Sequence, residues 1–163
     1  MTAPTPPVKK ISTPWPVPEP IKKAEELDRR IGDMPISEHV GKADWKTEKH
    51  VPVIECPNKV APDQEFEVAV MVGKEIAHPN TTAHHIRWIS LYFHPEGEKF
   101  SYQVARVEFS AHGEGAQGAD TGPVFTQHKA TLSMKTKKAG TLHAVSLCNI
   151  HGLWESERKV SVG

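Results

Sequence analysis

The chain has 163 residues, and its 20 lysines and arginines balance 20 aspartates and glutamates, so it carries no formal net charge. That length fits one main domain plus a tail. The balanced charge and the lack of a basic block exclude nucleic acid and anionic membranes as expected partners. No segment approaches the roughly 18 apolar residues of a membrane span.

Residues 1 to 20 hold seven of the fourteen prolines, which rules out a helix or a central strand there and predicts an extended arm. Ile11, Trp15, Val17 and Ile21 either pack on a neighbouring surface or belong to a disordered tail; composition does not choose. From Lys22 to Gly32, Ala24, Leu27 and Ile31 recur at helical spacing, and Gly32 stops the pattern. A short amphipathic helix is expected, and the arm, residues 1–42, is expected to end near Lys42. The main domain, residues 43–163, follows.

From residue 51 the period becomes two. Phe66, Val68, Val70 and Val72 alternate on one face of a run ending at Gly73, as a half-buried strand requires. Further β-rich runs are 86–93, 104–109, 123–128, 130–135, 141–148 and 154–162. Turn signals separate them at Pro95-Glu96-Gly97, His112 to Gly122 and Lys138-Ala139-Gly140. This pattern predicts an all-β fold: an immunoglobulin-like antiparallel β-sandwich of roughly seven to eight strands with an N-terminal extension containing the short helix. The Gly-rich stretch Gly113 to Ala119 lacks the Lys-Ser/Thr of a phosphate-binding loop and is expected to be a long flexible connection.

The cysteines Cys56 and Cys148 are too few for a disulfide framework, which favours a reducing setting. With no apolar leader of signal-peptide length, a soluble cytoplasmic protein is expected. Cys56 matches no motif and is expected to be a buried free thiol.

Ten histidines are more than composition alone explains. His39, His94, His112, His128 and His143 are expected to be scattered over the surface. The other five fall in three stretches: Glu48-Lys49-His50-Val51-Pro52, His78-Pro79 through His84-His85-Ile86, and Cys148-Asn149-Ile150-His151-Gly152-Leu153-Trp154-Glu155. Cys148 and His151 offer a thiolate and an imidazole within reach of one ion, a mixture suited to iron, copper or zinc rather than magnesium or calcium. Two ligands do not hold a metal, so the other stretches are expected to supply the rest. Spacing alone leaves His84 and His85 equivalent.

These three motifs, in this order from about Asp44 to Val160, resemble the superoxide reductase family of neelaredoxins and desulfoferrodoxins. The resemblance implies one non-haem iron per subunit, with His50, His78, His84 and His151 as equatorial imidazoles and Cys148 as axial thiolate. His85 then supports the site or is structural. It implies one-electron reduction of superoxide to hydrogen peroxide, with rubredoxin or a similar carrier as electron donor, and a homotetramer. Lys49 is implied to attract the anion, and Glu48 to occupy the sixth iron position in the ferric state only. The four-cysteine rubredoxin-like site of desulfoferrodoxins is missing, so the chain resembles the one-iron neelaredoxin type, to which the N-terminal arm is foreign.

A cupredoxin-like electron-transfer protein is the nearest alternative, because two histidines and a cysteine in a β-sandwich also bind copper. No methionine follows Cys148 to serve as the axial ligand. An immunoglobulin-like interaction module with incidental histidines or a structural zinc is the third reading.

Overall fold

The computed structural model of the chain describes residues 35–163. The expected helix between Lys22 and Gly32 and nearly all of the Pro-rich arm lie outside the described residues. A 3₁₀ turn at Ile36–His39 precedes eight strands: β1 (Pro52–Glu55), β2 (Lys59–Val60), β3 (Phe66–Val72), β4 (Ile86–Pro95), β5 (Tyr102–Glu108), β6 (Lys129–Met134), β7 (Gly140–Cys148) and β8 (Gly152–Val162). They form a three-stranded sheet in the order β1-β3-β6 and a five-stranded sheet in the order β2-β8-β7-β4-β5. Every pairing is antiparallel except the short parallel contact of β2 with β8.

The expected all-β sandwich is present, and alternation builds it. On β7, Leu142, Ala144, Ser146 and Cys148 are buried while the residues between them are half-buried. This row faces the core, where it joins Phe66, Val68, Val70 and Val72 of β3 and Ile89, Leu91 and Phe93 of β4. Burying one such leucine, isoleucine or valine contributes about 1.5–3 kcal/mol. Cys148 ends that inward row, so the period that fills the core also turns the thiol into the gap between the sheets.

Register brings the three motifs to one end of the sandwich. Pro52 at the start of β1 pairs with Val72 at the end of β3. Ile86 at the start of β4 pairs with Cys148 at the end of β7, and Cys148 pairs with Gly152 across the β7–β8 turn. His50 lies just before β1, His78 and His84 lie between β3 and β4, and His151 lies in the β7–β8 turn. Gly152 takes φ +74°, a left-handed conformation that closes this turn and that glycine adopts at little cost.

Three expectations change. The 123–128 run is not a strand: only Phe125 pairs, in an isolated bridge with His112. The Gly-rich stretch is hydrogen-bonded rather than loose. Gly122 N–H donates to Gly113 O, Gly113 N–H donates to Val124 O, and the Asp120 carboxylate accepts from Thr82 N–H at 2.7 Å. His112 and His128 are buried, at 3% and 6% exposure, instead of lying on the surface. His112 is held between two acceptors, Asn80 Oδ1 at 2.7 Å from its Nδ1 and the Phe109 carbonyl at 2.9 Å from its Nε2, and the neutral ring donates its one N–H to one of them. The His128 ring packs edge-on against those of Phe109 and His78. His39 is exposed as expected, while His94 and His143 are half-buried.

Cys56 is a free thiol as expected, but only half-buried at the edge of the core. Burial pushes it up from the usual thiol range despite the Arg158 guanidinium beside it.

Candidate metal centre

The ligand atoms of His50, His78, His84 and Cys148 all lie within 4.8 Å of one another. His151 closes on three of them: its Nδ1 is 3.0 Å from His50 Nε2, 3.2 Å from His84 Nε2 and 3.5 Å from Cys148 Sγ. All five residues implied as metal ligands therefore meet at one place. His85 does not join them. Its Nδ1–H donates to Thr81 O at 2.9 Å, and its ring stacks on His112 with centroids 3.7 Å apart.

The donor set fits a metal ion. His78 Nδ1–H donates to the Pro79 carbonyl at 2.7 Å, which fixes the tautomer and leaves Nε2 with a lone pair. That Nε2 is buried without a hydrogen-bond partner, an arrangement that costs about 1–3 kcal/mol unless something electrophilic meets it. His50 repeats the device. Its Nδ1–H donates to Glu48 Oε1 at 2.5 Å, and its Nε2 points at His151. A carboxylate or carbonyl behind each ring orients it and raises its basicity. Imidazole nitrogens gathered this closely have too few protons to satisfy one another, whereas a cation satisfies all of them.

Electrostatics prepare the rings as ligands. Burial, with the neighbouring histidines opposing the hydrogen bond to Pro79, pushes His78 down to about 3. Burial also lowers His50 against the pull of Glu48, and lowers His84, where His151 and Lys49 add to the effect. All three rings are therefore neutral at pH 7, the protonation state that metal binding requires. Burial raises Glu48, but hydrogen bonds from the His50 ring and backbone outweigh it and hold the carboxyl below its usual range. Lys49 is half-buried, and its charge bears on both His50 and His84.

Residues with no role legible in the sequence complete the site. The Trp154 indole stacks on His50, with centroids 5.2 Å apart and planes 18° apart, and its Nε1–H donates to His151 O at 3.2 Å. Gly41 lies against that indole and bridges β8, donating to Leu153 O at 2.8 Å and accepting from Glu155 N–H at 2.9 Å. The end of the expected arm is thus part of the wall of the site. Ser146 Oγ donates to the His50 carbonyl at 3.1 Å, tying the approach to β1 onto β7. Asn80, three residues into the ligand loop's sequence after Ala77, donates to Thr126 O and meets His112, fastening that loop to the Gly-rich connection. Pro79 and Thr81 were visible only as members of the motif between His78 and His84.

For the copper alternative, the methionines among the described residues are Met71 and Met134. Met71 lies on β3 and Met134 on β6, both in the three-stranded sheet, and neither is in the turn after Cys148.

Comparison with known proteins gives a consistent picture. The family described as desulfoferrodoxin matches residues 42–157. A neelaredoxin of Megalodesulfovibrio gigas is 62% identical over 120 residues, covering 74% of this chain and 92% of the relative. A superoxide reductase of Pyrococcus furiosus is 59% identical over 122 residues, covering 75% and 96%. Among solved structures, a putative superoxide reductase of Thermotoga maritima superposes with a TM-score of 0.78 at 52% identity, covering 80% of this chain and 98% of that one.

Proposed function

The chain belongs to the desulfoferrodoxin family of superoxide reductases, and from that membership we infer that it reduces superoxide to hydrogen peroxide. The meeting of four imidazoles and one thiolate at a single point carries the reading. We assign the bound metal as one non-haem iron per subunit, held by His50, His78, His84, His151 and Cys148. Iron in this donor set supplies a one-electron couple between its ferrous and ferric states, with the thiolate donating electron density. Superoxide, one electron from an outside donor and two protons become one hydrogen peroxide, and no dioxygen forms.

The surrounding residues divide the remaining work. Lys49 places a positive charge next to the rings of His50 and His84, and such a charge draws in a small anion. Glu48 keeps the proton of His50 on Nδ1, so that Nε2 stays free as a ligand. The family resemblance also assigns Glu48 to the sixth position of the oxidised resting state. Both hydrogen bonds that Glu48 accepts from His50 end on Oε1, so Oε2 is the oxygen that would be available to a bound iron. Trp154 covers the His50 ring and keeps water from it.

His151 and Ile150 are exposed, Ile150 at 58%, and this edge offers an electron carrier the shortest approach. Rubredoxin or a similar carrier as donor, a homotetrameric assembly, a cytoplasmic setting and a division into arm 1–42 and iron domain 43–163 complete the proposal. No helix among the described residues is long and apolar enough to cross a membrane.

The test is stopped-flow mixing of the reduced, iron-loaded protein with superoxide. Stoichiometric peroxide without dioxygen is expected, and Cys148→Ser is expected to lose the visible thiolate absorption together with turnover. Equal yields of dioxygen and peroxide would show dismutation and overturn the assignment.

A further inference from the structure

Asn149 joins the two halves of the ligand set. Its Oδ1 accepts from His85 N–H at 2.9 Å, and its Nδ2 donates to the Ala83 carbonyl at 2.9 Å. One carboxamide thereby grips the peptide groups on both sides of His84. Its own backbone N–H donates to His85 O at 3.1 Å. His84 is held from the other direction by Thr81, whose Oγ1 accepts from His84 N–H at 3.0 Å and whose N–H donates to His84 O at 3.0 Å. Every backbone polar group from the Ala83 carbonyl to the His85 carbonyl is thus partnered, three of the five by the residue that follows Cys148.

Main-chain pairing supplies only part of this connection, the bond from Asn149 N–H to His85 O. β4 and β7 pair from Ile86 with Cys148 inward, and the register slips between Ile86 and Trp88. Regular pairing is therefore disturbed where the ligands begin, and Asn149 carries the attachment of the two segments past that slip. The chemistry of the grip is selective: one end must accept and the other must donate. Aspartate at this position accepts from His85 but has no proton for Ala83 O, and alanine does neither.

We propose that Asn149 is a positioning residue that sets the imidazole of His84 in register with the thiolate of Cys148, so that one ion reaches both without either loop moving. The inference rests on the reading of the cluster as a metal centre.

Titration of the metal-depleted full chain with Co(II), followed by thiolate-to-cobalt absorption, tests it. Removing a group that orients a ligand typically costs 10–100-fold in metal affinity. Asn149→Ala and Asn149→Asp are expected to weaken Co(II) binding by about 10–100-fold and to displace the thiolate band. Val160→Ala, which truncates the sandwich core away from the turn, is expected to lower the melting temperature while keeping wild-type affinity and band. Should Asn149→Ala fail to fold, Asn149→Asp carries the test, since it keeps the side-chain volume and the bond from His85.

Wild-type affinity and an unmoved band in the folded Asn149 variants would overturn the proposal. So would an equal loss of affinity in Val160→Ala, because the effect would then follow stability rather than registration. A wild-type chain that binds no Co(II) would instead remove the metal-centre reading, and this inference with it.

Discussion

Replacing Gly41 by alanine tests whether the segment before the sandwich holds the wall of the metal site. A Cβ at Gly41 would stand 2.6 Å from Cδ2 and Cε3 of Trp154 and 2.9 Å from its Cζ3. Carbon atoms pack at about 3.5–4.0 Å, so roughly 1 Å of separation must be found. Neither side gives easily. The Gly41 backbone is bonded to Leu153 and Glu155, and the indole is stacked on His50 and bonded to the His151 carbonyl.

Overpacking of this kind costs about 1–3 kcal/mol, which for a domain of this size lowers the melting temperature by roughly 3–12 °C. Because the ring that must shift touches His50, the thiolate absorption of the cobalt-loaded Gly41→Ala protein is expected to move as well. Differential scanning calorimetry and a visible spectrum check both. A melting temperature within about 1 °C of wild type and an unchanged spectrum would refute the reasoning, since the indole would then have room that the distances deny.

Lys49→Ala is expected to slow superoxide capture by about 10-fold at low salt and to flatten its dependence on ionic strength; stopped-flow rates across a salt series decide. Glu48→Ala removes the acceptor from His50 Nδ1 and is expected to weaken metal binding by about 10-fold and shift the oxidised visible spectrum, checked by titration and absorption. His128, whose burial lowers it to about 4 from an ordinary 6.5, stays neutral in the fold while the unfolded chain takes up a proton. Nothing is lost above pH 6.5, and the folded state loses ground as pH falls from there toward 4, by about 2 kcal/mol at pH 5. Urea unfolding of the metal-depleted protein at pH 7.5 and 5 is expected to show that His128→Leu removes this part of the acid sensitivity.

The core was legible because period-two burial writes itself plainly into runs such as Phe66 to Val72 and Leu142 to Cys148. The run from Pro123 to His128 misled because apolar content without alternation does not define a strand. Val124 and Phe125 face solvent at 63% and 42%, and only Phe125 finds a partner. The ligand stretches could be read because thiol and imidazole side chains announce their chemistry. The choice of His84 over His85 came only with the resemblance, and geometry places His84 at the centre because the Thr81 turn and Asn149 fix the backbone on each side. Asn149 and Trp154 stand in the third motif, but their roles, like that of Gly41, are not legible there: each acts through contacts with residues far along the chain, and local sequence does not encode those contacts. His112 and His128 were placed on the surface because polar residues usually lie there, and nothing local reveals that Asn80 and Phe109 enclose the first of them.

The two outermost ligands, His50 and His151, stand 101 positions apart along the polypeptide. A bound ion joining them closes a ring of about 100 residues, and a covalent cross-link of that span restricts the unfolded chain by an amount equivalent to about 4–5 kcal/mol. The ligands also come from segments leading into both sheets, so with an ion bound there, unfolding either sheet would have to break a coordination bond. An ion bound there would therefore act as a rivet as well as a reaction centre, and chelation is expected to shorten the lifetime of the folded state.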